Sequence, residues 1–247
     1  MSKLTISEII SEPVREKLRA ALGEHPEEIA CSFDPEHPKR LLDVEYLNTW
    51  GKVRYHPCVI CSSIKAEAGR WFKRGMPLRV IDATWDNFEV TSPEMAVARD
   101  DVQAWAKSSS WIMWLGGNAG TGKGHLTACA MKEIGGGKWI TRAEINELVQ
   151  SHYRGERKDP IPKLKKVQGM LVLDEMGAAS KRKDDADNLG AILHHRFENK
   201  LKTAVLANVG RKVILEQLGL PGVSDRGNSE DLAIPFTWQS RRTQNEN

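Results

Sequence analysis

The sequence predicts an α/β protein in which a parallel β-sheet is covered by helices on both faces. Short apolar runs alternate with helix-forming segments from about residue 93 onward. A glycine-rich turn follows one of these runs and an acidic pair ends another. Buried parallel strands read as continuous apolar runs, so strands that alternate with helices in this way indicate a parallel sheet.

Length and composition set the limits of this fold. The 247 residues suffice for one large domain, or for a small N-terminal module and a larger core. Four scattered cysteines do not make a secreted disulfide scaffold, and no apolar run is long enough for a membrane helix or a signal peptide. We therefore expect a cytoplasmic protein without a membrane partner. The net charge of +3 permits a nucleic-acid partner without requiring one.

The first part of the chain differs in composition from the rest. Residues 5–8 have capping-box spacing and residues 14–22 are rich in helix formers, so the first thirty residues are predicted to be helical. Prolines, histidines and cysteines concentrate between residues 25 and 62, which predicts irregular structure. We place a small, mostly helical N-terminal module at residues 1–75 and the core at residues 76–247.

The core begins with a lead-in segment that includes residues 75–88, and its elements then alternate. Thr141 and Glu144 have capping-box spacing, so a helix is expected to begin after Thr141. The other predicted elements are a helix at 93–106, a strand at 111–115, a helix at 123–134, a strand at 139–140, a strand at 170–173, a helix at 188–200 and a strand at 203–207.

A glycine-rich loop between an apolar run and a helix is the central functional motif. Glycines let the backbone curl so that successive N–H groups point at phosphate oxygens, and Lys123 adds a positive charge for the β- and γ-phosphates. A turn that merely joins strand to helix is the alternative, which the second motif below disfavours. The ATP-binding residues expected here are Gly117, Asn118, Ala119, Gly120, Thr121, Gly122, Lys123, Gly124 and His125.

Gly124 departs from the usual form of this loop, in which Ser or Thr follows the lysine and binds Mg²⁺ through its hydroxyl. Glycine has no side chain, so one metal ligand is missing and water must replace it. We expect nucleotide binding to survive and hydrolysis to be slow.

Two acids end the apolar run at residues 169–173. Asp174 can bind Mg²⁺, and Glu175 can act as the general base that activates water. Strand ends in parallel sheets meet at one edge, which brings both acids beside the phosphate loop. Downstream, Asn208 ends another apolar run and either orients the attacking water or forms a turn. Arg226 and the pair at 241–242 either contact phosphate or are solvated charges.

Taken together, these motifs resemble the AAA+ family of DnaC-type replicative helicase loaders and the related IstB-type helper ATPases of transposition. The resemblance is carried by residues 120–126, 171–177, 196–208 and 236–242, with the lead-in at 82–88. It implies an AAA+ P-loop NTPase core with ATP and Mg²⁺ as cofactors, and self-assembly into an AAA+ oligomer. The implied roles are Lys123 as phosphate lysine, Asp174 and Glu175 as Walker B pair, Asn208 as sensor 1, Arg226 as arginine finger and Arg242 as ATP-binding sensor 2.

Residues 151–167 carry six basic and two acidic side chains. A stacking ring beside such charges is typical of single-stranded DNA binding, and the resemblance places this region in a DNA-contacting channel. A solvated loop ordered by its prolines is the alternative. The DNA-binding residues expected here are Tyr153, Arg154, Arg157, Lys163, Lys165 and Lys166.

Cys58 and Cys61 have the spacing of half a zinc site, with Cys31, His37 and His56 as candidates for the remaining ligands. Two reduced thiols, one packed and one exposed, would give the same spacing.

The resemblance implies a helicase loader, of the kind a phage could encode, that binds ATP, single-stranded DNA and a replicative DNA helicase. Its N-terminal module would bind the helicase, and ATP hydrolysis would determine when the helicase is released. Three alternatives stay open: a helper ATPase of a DNA transposase, a non-hydrolysing ATP-binding adaptor, and an ATPase independent of DNA.

Overall fold

The computed structural model describes residues 28–29, 36, 40–41, 54, 56, 58–177, 183–217 and 231–240. The chain forms two compact units, residues 1–70 and 71–247, whereas the sequence predicts a boundary after residue 75. In the first unit, strands β1 (Glu28–Ile29) and β2 (Arg40–Leu41) form an antiparallel pair. Helix α1 (Val59–Lys73) begins in the first unit and ends in the second. The helix predicted within the first thirty residues lies outside the described residues.

The second unit contains a five-stranded sheet in which every neighbouring pair is parallel. Its strands are β3 (Ile112–Gly117), β4 (Gly137–Thr141), β5 (Met170–Asp174), β6 (Thr203–Ala207) and β7 (Asp231–Phe236). The order across the sheet is β4-β5-β6-β3-β7, so β6 lies between the strand that precedes the glycine-rich loop and the strand that ends in Asp174. The predicted parallel α/β class is confirmed.

Successive residues of the central strands β3, β5 and β6 face different hydrophobic cores because side chains alternate along a strand. Met113 and Leu115 of β3 belong to one core, while Ile112 and Trp114 belong to the other. All residues of β5 and β6 are buried, as expected for strands covered on both faces.

Helices α2 (Pro93–Lys107) and α3 (Lys123–Ile134) contribute to the first core, while α4 (Arg142–Tyr153), α5 (Ile161–Lys165), α6 (Lys183–Glu198) and α7 (Arg211–Gln217) contribute to the second. The predicted capping box is present, since the Thr141 hydroxyl accepts from the Glu144 N–H and the Glu144 carboxylate accepts from the Thr141 N–H. Within the described parts of the chain, no helix combines the length and the apolar character that crossing a membrane requires.

Seven of the described elements were not foreseen: α1, β1, β2, the short 3-10 helix Leu78–Val80, α5, α7 and β7. Helix α1 begins at Val59, inside the segment predicted to be irregular. Strand β7 has an alternating burial pattern and contains Pro235, both of which fit a strand at the sheet edge. Helix α5 begins at Ile161 between two prolines, a position where their missing N–H groups cost nothing. Helix α6 begins at Lys183, five residues before the predicted start at 188.

Buried Arg196 of α6 connects three segments of the second unit. Its Nε donates to Thr203 Oγ1 at 2.8 Å, and its Nη2 donates to the Lys202 carbonyl at 2.6 Å. Its Nη1 donates to the carbonyls of Lys165 and Val167 at 3.3 and 3.0 Å. Helix α6 thereby holds the chain that leads into β5 and the start of β6.

Candidate nucleotide-binding site

The carboxyl ends of the parallel strands place the glycine-rich loop, the acidic pair and Asn208 at one edge of the sheet. The glycine-rich loop follows β3, Asp174 ends β5, and Asn208 follows β6, which lies between those two strands. This is the edge at which parallel α/β sheets bind their ligands. The expected placement of the loop, the acidic pair and Asn208 along one edge follows from this strand order.

The loop between β3 and α3 requires glycine at two positions. Gly117 has a φ of 126°, and a Cβ there would lie 2.2 Å from the Phe236 carbonyl oxygen. Gly122 has a φ of 98°, and a Cβ there would lie 2.8 Å from Cε2 of Phe88. Both positions combine a left-handed backbone with a close neighbour, so the loop can take this curled shape only with glycine.

Lys123 lies at the first turn of α3 and curls back into the loop. Its Nζ donates to the carbonyl oxygens of Gly117 at 2.7 Å and Asn118 at 2.5 Å, and the side chain is largely buried. The positive dipole end of α3 lies at the same place. The ammonium group is therefore held where it can exchange carbonyl oxygens for phosphate oxygens.

Strand β7 and the residues after it make hydrogen bonds to the glycine-rich loop. The Asn118 N–H donates to the Phe236 carbonyl at 3.1 Å, and the Trp238 indole N–H donates to the Thr121 carbonyl at 2.9 Å. The Phe236 and Trp238 rings pack with their centroids 4.6 Å apart. These residues belong to the 236–242 motif that carried the resemblance, but no loop contact was predicted for them.

Asp174 is a buried carboxylate with both oxygens oriented by neighbours. The Glu175 N–H donates to Oδ1 at 2.8 Å, and the Trp139 indole N–H donates to Oδ2 at 3.1 Å. The Arg79 guanidinium lies 3.8 Å from Oδ2, so a positive group already approaches this carboxylate. A carboxylate that attracts a cation at this edge has the chemistry expected of a magnesium ligand.

Trp139 and Val80 are the side chains nearest to the position that a Cβ would take at Gly124. A Cβ at residue 124 would lie 3.6 Å from Cγ1 of Val80 and 4.0 Å from Cη2 of Trp139, both ordinary contact distances. The indole of Trp139 therefore lies beside the position where this loop usually carries a hydroxyl. Sequence reasoning assigned Trp139 only to a strand, because nothing in a single sequence shows that an indole points at a carboxylate on the neighbouring strand.

Glu175 and Asn208 are exposed at the same edge. Glu175 has a φ of 61°, a left-handed conformation that costs a residue other than glycine about 1 kcal/mol or more. This conformation ends the extended backbone of β5 directly after Asp174. Asn208 lines a cavity of about 330 Å³ together with Gly117 and Arg211.

His125 contacts the lead-in segment. Its Nε2 lies 2.9 Å from the Thr84 carbonyl, a hydrogen bond in which the ring nitrogen must donate, and its ring meets Phe88 edge-on at 5.2 Å. The structure thus assigns His125 a role in fixing the lead-in against α3, and its predicted contact with ATP stays a prediction. Arg226 and Arg242 lie outside the described residues, so their predicted roles also stay predictions.

The residues predicted to bind DNA lie toward the opposite end of the sheet. Tyr153 ends α4 with 61% of its surface exposed, and Arg157, Lys163 and Lys166 are also exposed. Lys165 is half-buried. Arg154 is paired with Glu156 at 2.6 Å, which lowers the Glu156 pKa to about 2 through hydrogen bonds from Arg154 and Ser151. Arg154 therefore has less free charge to offer than the sequence suggested.

The cysteine pair lies at the start of α1, with Cys58 buried and Cys61 half-buried. Cys31 and His37, two of the residues that would complete a zinc site, lie outside the described residues. Within the part of the chain that is described, no group of three or more His, Cys, Asp or Glu side chains could hold a metal ion. Zinc therefore stays a prediction without support from the structure.

The strand order, the glycine-rich loop and the acidic strand end give the second unit the α/β fold of AAA+ P-loop NTPase cores. Among solved structures, the chain is similar to the DnaC helicase loader, with a TM-score of 0.55 and 17% identity over 66% of this chain and 100% of that one. It is also similar to DnaI, with a TM-score of 0.51 and 19% identity over 68% of this chain and 94% of that one. At such identities the similarity shows the fold, and it confirms the resemblance to DnaC-type AAA+ proteins at that level.

No family model matches the sequence. The comparison with curated proteins gives no match either.

Proposed function

We propose that this protein is an ATP-dependent helicase loader that binds single-stranded DNA and a replicative hexameric helicase during initiation of DNA replication. The observation that carries the proposal is the placement of the Lys123 loop and Asp174 at the same edge of the sheet, in a fold shared with the DnaC helicase loader. The likeness supports the identity of the partner, whereas the arrangement of the site supports nucleotide binding.

ATP binding would use the loop amides and Lys123 for the phosphates. The Asp174 carboxylate fits Mg²⁺, which neutralises phosphate charge when bound and usually keeps several water ligands. Glu175 would act as general base, and Asn208 would orient the attacking water. Arg226 from a neighbouring subunit and Arg242 from the same subunit would stabilise phosphate charge in an AAA+ oligomer.

Trp139 supports the role of Asp174 in a loop without the usual hydroxyl. Its indole N–H donates to the carboxylate from beside Gly124, so the carboxylate keeps a donor that fixes its direction. This contact supports retained magnesium-dependent nucleotide binding. The missing metal ligand supports slow ATP hydrolysis. Slow hydrolysis suits a protein that uses one hydrolysis event to control release of its partner better than a protein that hydrolyses ATP continuously.

The proposed nucleic-acid surface and the nucleotide site lie at opposite ends of the sheet. Tyr153 offers an exposed ring for stacking on a base, and Lys163 and Lys166 offer exposed charges for the phosphate backbone. Residues 1–75 would contact the helicase, as the N-terminal module does in the resembled loaders.

The proposal is tested by measuring ATP binding by calorimetry and helicase capture by pull-down, with and without Mg²⁺-ATP. Wild type should bind ATP and retain a replicative helicase. Lys123→Ala should lose ATP binding, whereas Lys212→Ala, which removes an exposed lysine of α7, should behave as wild type. Recovery of a transposase in place of a helicase, or no ATP uptake at millimolar nucleotide, would contradict the proposal.

Gly124 favours a second function, a non-hydrolysing ATP-binding adaptor. Glu175→Gln distinguishes the two, because loss of a general base lowers turnover about 100-fold or more without abolishing ATP binding. A loader should show this loss in the presence of DNA. An adaptor should show no turnover in the wild type and no change on substitution.

A further inference from the structure

A cavity of about 870 Å³ lies at the end of the sheet opposite the nucleotide-binding loop. It is bounded by the end of α1, by residues 134–138 at the start of β4, and by α5 with the chain that leads into β5. Nucleotide-binding residues follow the carboxyl ends of the strands, whereas this cavity lies at the amino ends of β4 and β5. It is therefore separate from the site described above.

Positive charge dominates the cavity. Three of its basic side chains come from outside the 151–167 region in which DNA contacts were predicted, namely Lys73, Arg74 and Lys138. The other two are Lys163 and Lys166. Among the residues that the structure describes, no Asp or Glu lines the cavity, and no ion pair involves any of the five.

A cluster of like charges in a concave surface raises the local positive potential, and an anionic ligand relieves the repulsion. The cavity floor is aliphatic, so the ligand should combine negative charge with apolar faces. A single nucleic-acid strand has both, since phosphates alternate with sugars and bases along its length. The floor residues are Ile134, Ile140, Leu148, Leu164 and Val167.

The backbone that carries these charges is held by hydrogen bonds and close packing. The Trp139 N–H donates to the Arg74 carbonyl at 2.8 Å, and the Met170 N–H donates to the Gly136 carbonyl at 3.0 Å. A Cβ at Gly137 would lie 1.9 Å from the Met170 carbonyl oxygen, so β4 and β5 approach closely at the cavity wall. Arg196 fixes the carbonyls of Lys165 and Val167 on the other side. Because this backbone is already fixed, less conformational entropy is lost when a ligand binds.

We propose that this cavity binds the phosphate backbone of single-stranded nucleic acid, with Arg74 and Lys138 as contacts in addition to Lys163 and Lys166. The inference rests on the proposed function, which it deepens by adding the end of α1 and the start of β4 to the nucleic-acid surface. Because no aromatic ring lines the described cavity, the contact should be independent of base sequence.

The test measures binding of a fluorescent oligothymidylate to the full chain over a series of salt concentrations. The variant Arg74→Gln/Lys138→Gln removes two cavity charges while keeping a polar side chain at each position. Each lost phosphate contact on a single strand lowers the slope of log affinity against log salt by about 0.7, so the double variant should lower it by about 1.4. The matched control is Lys107→Gln/Lys212→Gln, which removes two exposed charges elsewhere and should keep the wild-type slope.

The ATP affinity of both double variants should match wild type, because neither pair touches the nucleotide-binding loop. A cooperative thermal unfolding transition in each variant should show that both remain folded. An unchanged slope in the cavity variant, with DNA binding intact, overturns the cavity site and leaves the proposed function standing. A wild type that binds no single-stranded DNA, with or without ATP, contradicts the DNA-binding part of the proposed function itself. Equal displacement of the DNA by polyglutamate of the same charge would show a general polyanion site and also overturn the inference.

Discussion

At the scale of single residues, the most informative feature is the relation between Gly124, Trp139 and Asp174. A phosphate loop normally places a hydroxyl next to the metal-binding acid. Here the indole of Trp139 lies 4.0 Å from a Cβ placed on Gly124 and donates a hydrogen bond to Asp174 at 3.1 Å. The indole N–H orients the carboxylate, but it does not replace the hydroxyl as a metal ligand, because a metal ion binds oxygen lone pairs and an indole N–H offers none.

This arrangement predicts an interaction between substitutions at the two positions. Trp139→Phe keeps a smaller aromatic ring but removes the N–H, and a hydrogen bond to a charged group contributes about 1.5 kcal/mol, or about tenfold in affinity. We expect affinity for Mg²⁺-ATP to fall about tenfold in Trp139→Phe, while affinity for ATP in EDTA stays unchanged. Adding Gly124→Ser should recover most of the loss by restoring a hydroxyl.

Calorimetric titrations of wild type, both single variants and the double variant complete this cycle. Gly124→Ser alone should have a small effect, because a Cβ at residue 124 meets its neighbours at ordinary contact distances. Equal losses with and without Mg²⁺ would mean that Trp139 only packs, and additive effects in the double variant would mean that the two positions act independently.

At the scale of secondary-structure elements, α6 organises the second unit through Arg196. Its guanidinium satisfies carbonyls before β5 and before β6, and the side chain is fully buried. Burial lowers the Arg196 pKa to about 10, which leaves the group charged at neutral pH. The hydrogen bonds therefore have to compensate for placing a cation inside the protein.

We expect Arg196→Met to lower the free energy of unfolding by about 3 kcal/mol, because several buried carbonyls lose their donors. Urea denaturation followed by circular dichroism measures the change. His194→Ala on the exposed side of the same helix should change stability by less than about 0.5 kcal/mol. A small effect of Arg196→Met would show that water or other donors replace the guanidinium.

Lys202 connects the end of α2 to the start of β6 and makes stability depend on pH. Its Nζ donates to the Trp105 carbonyl at 2.6 Å, and burial lowers its pKa to about 8. An unfolded lysine has a pKa of about 10.4, so between these values the unfolded chain binds more protons than the folded chain. The contribution of Lys202 to stability must therefore increase as the pH rises from about 8 to 10.

Comparison with Lys202→Met isolates this dependence from that of other groups. The stability difference, wild type minus variant, should rise with pH over this range in urea denaturation series. A constant difference from pH 7 to pH 10 would show that Lys202 keeps an ordinary pKa in the folded protein.

At the scale of the whole molecule, the sequence was sufficient for the three central strands and for part of the edge strand β4, but not for the edge strand β7. The runs at 170–173 and 203–207 are continuously apolar because β5 and β6 are buried on both faces, and they were placed within one residue. Strand β7 was missed because its edge position allows Pro235 and alternating exposure. The loop and Asp174 follow from local motifs, whereas Trp139, Arg79 and the basic cavity depend on contacts between distant segments.

The position of Trp139 has a consequence for communication across the second unit. Its backbone N–H binds the Arg74 carbonyl at the wall of the basic cavity, and its indole binds Asp174 at the opposite end of β4. One residue thus touches both proposed ligand sites. If each ligand shifts this residue, thermodynamic reciprocity requires that the factor by which nucleotide changes nucleic-acid affinity equals the factor by which nucleic acid changes nucleotide affinity. The coupling between nucleotide binding and nucleic-acid binding would then take place within one chain.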